Sequence, residues 1–272
     1  MRQYPINPVE MLASLWRHRE LIQSATRREV LGRYRGSYLG LLWSFVNPLF
    51  LLAVYTFIFR AVLHSRWGMH GESETEFALV LFAGLIIFNL FSECIHRAPT
   101  LILANANYVK KVVYPLEILP CISLLTALYH ACISLVVWLL AYSLLIDTPA
   151  LTVVFLPCVI LPFCVLLMGI SWLLASLGVF LRDIAQVVGV STTALLFLSP
   201  IFYPSSALPE QYRGLLNFNP LTIIVEQTHA ILLWRQLPDF KLLASYWLLS
   251  LCIAWMGFAW FQKTRKGFGD VL

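Results

Sequence analysis

The chain has 272 residues, of which 60% are hydrophobic and 12% charged, and its formal net charge is +5. Soluble domains carry about 25% charged residues, so a water-soluble globule is excluded and the solvent must be lipid. Cys94, Cys121, Cys132, Cys158, Cys164 and Cys252 lie scattered in apolar segments without CxxC spacing; they read as small hydrophobes rather than as a metal or redox site.

Met1 to Arg35 contains no apolar secretory core, so the chain is expected to insert through its own first span. Within residues 7–31, Asn7 and Pro8 form a helix start, and Met11, Leu12, Leu15, Trp16, Ile22 and Val30 share one arc of a helix. This predicts an amphipathic helix on the cytoplasmic leaflet, or one packed on the protein itself. The first domain is set at residues 1–36 and a permease domain at 37–272.

Six segments are long and apolar enough to cross a bilayer: Ser37–Leu63, Phe77–Ile95, Leu116–Leu145, Leu151–Phe180, Ile184–Phe202 and Leu242–Gln262. Pro48, Pro157 and Pro162 are compatible with membrane helices. The loop after the second segment carries a short helix-like stretch, Leu101 to Lys111; Pro115 can then open the third segment as its first helical residue, with Glu117 in the first turn where the helix dipole favours an anion. It is either a docking knob for another protein or a solvated loop whose lysines anchor the span.

After the fifth span, Pro200, Pro204, Pro209 and Pro220 precede a 13-residue run, Leu221 to Leu233, broken by Glu226, Gln227 and His229. That length suits a re-entrant outer gate at about 203–233, in which Glu226 would be a partnered polar group. An external loop is the alternative.

Fourteen of the Lys and Arg residues fall on the side of the termini and five on the other, so both termini are expected in the cytoplasm. Cations dispersed among spans do not suit a nucleic-acid surface. No Walker A, HExxH, GxSxG or DxD pattern occurs. The His64–His70 loop, with Glu72, Glu74 and Glu76, is expected to be an external turn rather than a metal site. The chain therefore reads as a non-catalytic transport subunit; a membrane glycosyl- or acyltransferase is the rival from another class.

Five phrases occur in order: RYRGSYLGLLWSFVNPL, NYVKKVVYPLEILP, FLRDIAQVV, SPIFYP and NPLTIIVEQ. Together they resemble ABC-2 type permeases that export surface polysaccharides, the Wzm-type O-antigen permeases with their capsule and teichoic-acid relatives. The resemblance implies an all-α membrane protein with six spans, an N-terminal interfacial helix and a re-entrant gate. It also implies a homodimer in the bacterial inner membrane, joined to two copies of a separate nucleotide-binding ATPase. ATP and Mg would be bound by that partner, and this chain would carry no cofactor or metal. The substrate would be a polysaccharide linked to undecaprenyl diphosphate, with capsule, teichoic-acid, drug or small-lipid export as alternatives. By motif, Arg33, Tyr34, Arg35 and Ser37 join the interfacial helix to the first span, where a lipid diphosphate would load. Asn107, Lys110, Lys111, Pro115 and Glu117 would mark the ATPase-coupling region. Arg182 and Asp183 would form a cytoplasmic turn, and Ser199, Pro200, Tyr203, Asn219, Pro220 and Glu226 the outer gate.

Residues seven apart on a helix lie about 20° from each other, which aligns Trp43, Phe50 and Phe57 in one stripe and Tyr38, Phe45 and Phe59 in a second. Aromatic faces offer a polysaccharide broad apolar area with few directional demands. One stripe, with Tyr38, Phe45 and Phe59 favoured and Trp43 near its start, is expected to line the conduit. The other would pack in protein or lipid; ordinary packing of both stripes is the alternative.

Overall fold

The computed structural model describes residues 5–58, 74–110, 114–216 and 219–272, and among them every regular element is helical. The chain begins with α1 (Pro8–Arg17) and α2 (Arg19–Arg33), followed by α3 (Trp43–Phe57), which enters through a 3-10 turn at Gly40–Leu42. Next come α4 (Glu74–Arg97), the short α5 (Ala106–Lys110) and α6 (Leu119–Leu145). The second half holds α7 (Leu156–Phe180), α8 (Ile184–Leu198), α9 (Glu210–Leu216), α10 (Thr222–Leu232), α11 (Phe240–Thr264) and the terminal α12 (Phe268–Val271).

Among the described residues, five stretches have the length and hydropathy of a membrane span: Gly40–Phe57, Glu76–Thr100, Leu116–Leu145, Leu151–Phe180 and Phe240–Val271. The third and fourth match the expected limits. The expected fifth span, Ile184–Phe202, is a 15-residue helix that stops at Leu198, about 22 Å at 1.5 Å per residue. Proline disfavours the helical region for the residue before it; Ser199, preceding Pro200, is extended at φ −92 and ψ 149. The sequence expectation of one amphipathic helix over 7–31 also changes. The helix breaks at His18 (φ −102, ψ 16), whose Nδ1 lies 2.8 Å from the Ser14 carbonyl. Similarly, α4 starts at Glu74, earlier than the expected Phe77.

α4 is the central helix. Every residue from Phe77 to Phe88 is buried, and α3, α6, α7, α8 and α10 all pack against it. Trp138 of α6 donates its indole N–H to the Leu79 carbonyl at 2.8 Å, so its one polar atom is satisfied inside the core. α7 and α11 close on each other through glycine. A Cβ on Gly257 would lie 2.1 Å from the Gly169 carbonyl oxygen, and one on Gly169 would lie 2.6 Å from that of Ile253. Small residues permit such backbone approach where apolar solvent gives helices no hydrophobic reason to associate. At the end of α7, a Cβ on Gly178 would lie 2.0 Å from the Pro99 carbonyl oxygen, seating the turn after α4.

Candidate functional site

The corner between α2 and α3 is made by glycine. Gly36 (φ +86) and Gly40 (φ +53) occupy the left-handed region, which costs other residues roughly 1–2 kcal/mol. Arg35 N–H donates to the Gly32 carbonyl and Ser37 N–H to that of Tyr34. This corner leaves Arg33, Tyr34 and Arg35 at the head of the first span, yet the two arginines have different surroundings. Arg33 donates to Glu93 of α4 at 2.5 Å and lies 3.4 Å from His130 of α6. Glu93 is also 3.8 Å from Arg97, which in turn pairs with Glu29 of α2. The Tyr34 ring meets His130 edge-on at 6.1 Å. Arg35 instead lines an open groove of about 660 Å³ with Arg27, Arg28, Glu20, Gln23, Ser24, Leu31 and Gly32.

Beside that groove runs an apolar trough of about 1180 Å³ between α1–α2 and α6. Leu12, Trp16, Ile22, Val30, Leu125 and Tyr129 are among its walls, and Gln23, Arg27 and Leu31 border both spaces. Met11, Ile22 and Val30 of the predicted apolar arc are buried, whereas Leu12 and Trp16 are exposed. The amphipathic helices thus press one edge on the protein and leave another open.

In the expected coupling region, Asn107 is exposed on α5, which ends at Lys110; Lys111 lies outside the described residues. Tyr108 stacks on Tyr114 with centroids 4.4 Å apart. Burial pushes the Tyr114 hydroxyl up from its ordinary pKa, with Tyr108 adding to the shift and Arg28 opposing it. Pro115 caps a 3-10 turn, Leu116–Ile118, and Pro120 opens α6 in its place. Glu117 was expected to answer the helix dipole, but it is buried and accepts from Arg265 Nη1 at 2.6 Å and from Ser14 Oγ at 3.0 Å. Arg182 and Asp183 sit exposed in the turn between α7 and α8.

Most of the expected gate residues come together at the opposite end of the bundle. Asn219 donates to Ser199 Oγ at 2.9 Å and to the Leu198 carbonyl at 3.3 Å, while its Oδ1 accepts from Leu221 N–H at 2.9 Å. Tyr246 of α11 donates to the Pro220 carbonyl at 2.9 Å, and Tyr203 to that of Phe197 at 3.0 Å. Pro200 is buried. α10 is too short to cross a bilayer and is buried along Ile224, Val225, Thr228, His229, Ile231 and Leu232. His229 faces the Val80 carbonyl at 3.0 Å, which ties α10 to the central helix. Glu226 is half-buried, and among the described residues no hydrogen bond or ion pair is recorded for it, so the expected partner is not supplied there.

The first-span stripes fare differently from one another. α3 packs through Ser44, Pro48 and Leu52, at successive intervals of four. Trp43, Phe50 and Phe57 lie on the opposite side and are exposed. Tyr38 precedes the helix and is fully exposed, Phe45 borders an apolar groove between α3 and α6, and Phe59 lies outside the described residues. Neither stripe packs inside the described protein. One feature was not read from the sequence: Asn89, Ser92, Glu93 and His96 form a polar line on the C-terminal half of α4, with Asn89 and His96 exposed. Their spacing of three, four and seven was the available signal.

Residues 20–233 match the profile of the family described as ABC-2 type transporter. A Myxococcus xanthus protein named O-antigen export system permease protein RfbA is 28% identical over 264 residues, spanning 96% of this chain and 99% of that protein. A Klebsiella pneumoniae protein of the same name is 26% identical over 262 residues, spanning 93% of this chain and 95% of its own length. The Escherichia coli polysialic acid transport protein KpsM is 25% identical over 252 residues, spanning 90% of this chain and 93% of its own length. The chain belongs to the ABC-2 type transporter family.

Proposed function

We propose that this protein is the permease subunit of an ATP-driven exporter that moves a lipid-diphosphate-linked surface polysaccharide, in the O-antigen class, across the bacterial inner membrane. The observation that carries the lipid-linked reading is the joined pair of grooves on α1 and α2. A polyprenyl chain needs an apolar trough, and its diphosphate needs cations beside that trough. Trp16, Ile22, Val30 and Leu125 supply the first, and Arg27, Arg28 and Arg35 the second, with Glu20 the one carboxylate on the groove wall. Arginine's planar fork suits phosphate oxygens better than lysine's point charge. The loading role passes from Arg33, already held by Glu93, to Arg35 and its neighbours on α2.

In this reading the protein works as a homodimer with both termini in the cytoplasm. Two copies of a separate P-loop subunit bind and hydrolyse ATP with Mg, docking on Asn107 to Lys111 and on the Arg182–Asp183 turn. The exposed faces of α3 and α8 support a second copy, with the conduit between copies and the Trp43–Phe50–Phe57 side of α3 along it. Ser199, Asn219 and Pro220 brace α10 as a re-entrant outer gate. The likeness to KpsM, named for polysialic acid transport, supports another surface polysaccharide as the second substrate reading.

The test replaces Arg27 and Arg35 together with lysine, which keeps the charge and removes the fork. Surface polymer is expected to fall by about tenfold, equivalent to roughly 1.4 kcal/mol, with lipid-linked polymer accumulating inside. Unchanged export at normal protein level would reject the loading site.

A further inference from the structure

Glu117 is the centre of a buried polar node that draws in four other parts of the chain. Its Oε1 accepts from Ser14 of α1 at 3.0 Å and its Oε2 from Arg265 at 2.6 Å. The second arm of Arg265 donates to the Tyr114 carbonyl at 2.9 Å, and Trp172 of α7 donates to the Glu117 carbonyl at 2.8 Å. Ser14 is 2% exposed and Glu117 8%. The tail carrying Arg265 is pinned by Phe268, fully buried against Phe180 and Phe261.

A buried ion pair costs desolvation that its attraction only partly offsets, so it is weak as a stabiliser and better suited to fixing one geometry. The geometry fixed here is a route. Tyr108 of α5 stacks on Tyr114, whose carbonyl Arg265 holds; Arg265 holds Glu117, and Glu117 holds Ser14. Ser14 lies on α1, whose neighbouring residues Leu12, Ala13, Leu15 and Trp16 wall the apolar trough. Hydrogen-bonded and packed groups carry coupling between sites where they can take two discrete arrangements.

We propose that Glu117 and Arg265 form a positioning joint that transmits displacement of α5 to α1 and the trough, with Ser14 as its last link. The inference rests on the reading that α5 meets the ATPase. The joint acts on loading, so its loss separates export from ATP turnover.

The experiment uses the full permease–ATPase complex and compares Ser14→Ala with Ser14→Thr, which keeps the hydroxyl. A photo-crosslinker at the exposed Asn107 reports docking in parallel. Ser14→Ala is expected to leave complex yield, crosslinking and ATP turnover unchanged while lowering surface polymer per complex by about fivefold or more. Ser14→Thr is expected to restore export. Crosslinking with undiminished export in Ser14→Ala would overturn the joint alone. Absence of crosslinking in the unmodified complex would overturn the docking reading and the joint with it. A parallel fall of yield, ATP turnover and export in Ser14→Ala would assign Ser14 to stability and overturn the joint.

Discussion

Phe258 on α11 and Phe50 on α3 are the same side chain on two apolar helices, one fully buried and the other 66% exposed. Around Phe258, α11 meets α7 at glycine backbones, and the Trp172 ring stands edge-on to Phe258 at 5.2 Å. Around Phe50, α3 buries Ser44, Pro48 and Leu52 and packs Tyr55 against the core, leaving the Phe50 side uncovered among the described residues. The difference separates two uses of apolar surface. The α7–α11 seam is closed within the chain and sets the relative position of the helices. The outer side of α3 is left uncovered by the described chain, so side-chain changes there are expected to leave the fold intact.

The comparison breaks first at Phe258. Phe258→Ala removes a ring from a closed site and should cost about 3–5 kcal/mol, seen as loss of folded protein in a detergent thermal-unfolding assay. Unfolding like that of the unmodified protein would show that the seam relaxes around the cavity. Gly257→Ala is the converse test, since its Cβ would meet the Gly169 carbonyl oxygen; overpacking of this kind costs about 1–3 kcal/mol. A fully stable alanine variant would mean that α7 and α11 separate easily.

Phe50→Ala combined with Phe57→Ala sharpens the other side. Both rings are about two-thirds exposed, at 66% and 65%, so protein level and unfolding should stay unchanged. Export of long polymer is expected to fall several-fold, at about 0.5–1.5 kcal/mol per lost ring interaction. Normal export from a well-expressed double variant would give this face to lipid.

The smallest effect belongs to Asp147, which pairs with Arg235 at the rim. The Thr148 backbone N–H and then Arg235 hold its carboxyl below the ordinary range. Its contribution is therefore complete above that range and lost as pH falls through the lowered pKa. The pair is solvent-exposed and screened, so Asp147→Asn should leave thermal unfolding unchanged at neutral pH. A clear loss of stability would reveal a constraint on the α6–α7 turn that the exposed geometry does not supply.

Some site features were legible because they are local. The helix start at Asn7 and Pro8, the limits of the third and fourth spans and the apolar arc of α1–α2 each depend on adjacent or turn-spaced residues. Other features were read incompletely because their partners are remote. Arg33 looked available for phosphate until Glu93, sixty positions away, took its guanidinium. Glu117 looked like a helix-dipole partner until Arg265 appeared beside it. The α3 stripes were drawn from helical spacing, whereas exposure depends on which edge of α3 meets α4 and α6.

From the sequence by itself came the lipid solvent, the long apolar helices, the charge bias toward one side and the order of the family phrases. These follow from composition, span length and local backbone preference, all of which act over a turn or a segment. Only the tertiary structure decided that α4 is the centre, that Glu117 belongs to a node with Ser14 and Arg265, and that Trp43, Phe50 and Phe57 face outward. Each depends on which surfaces meet, and a periodic apolar helix offers several nearly equivalent faces until glycine contacts and long-range polar pairs choose among them.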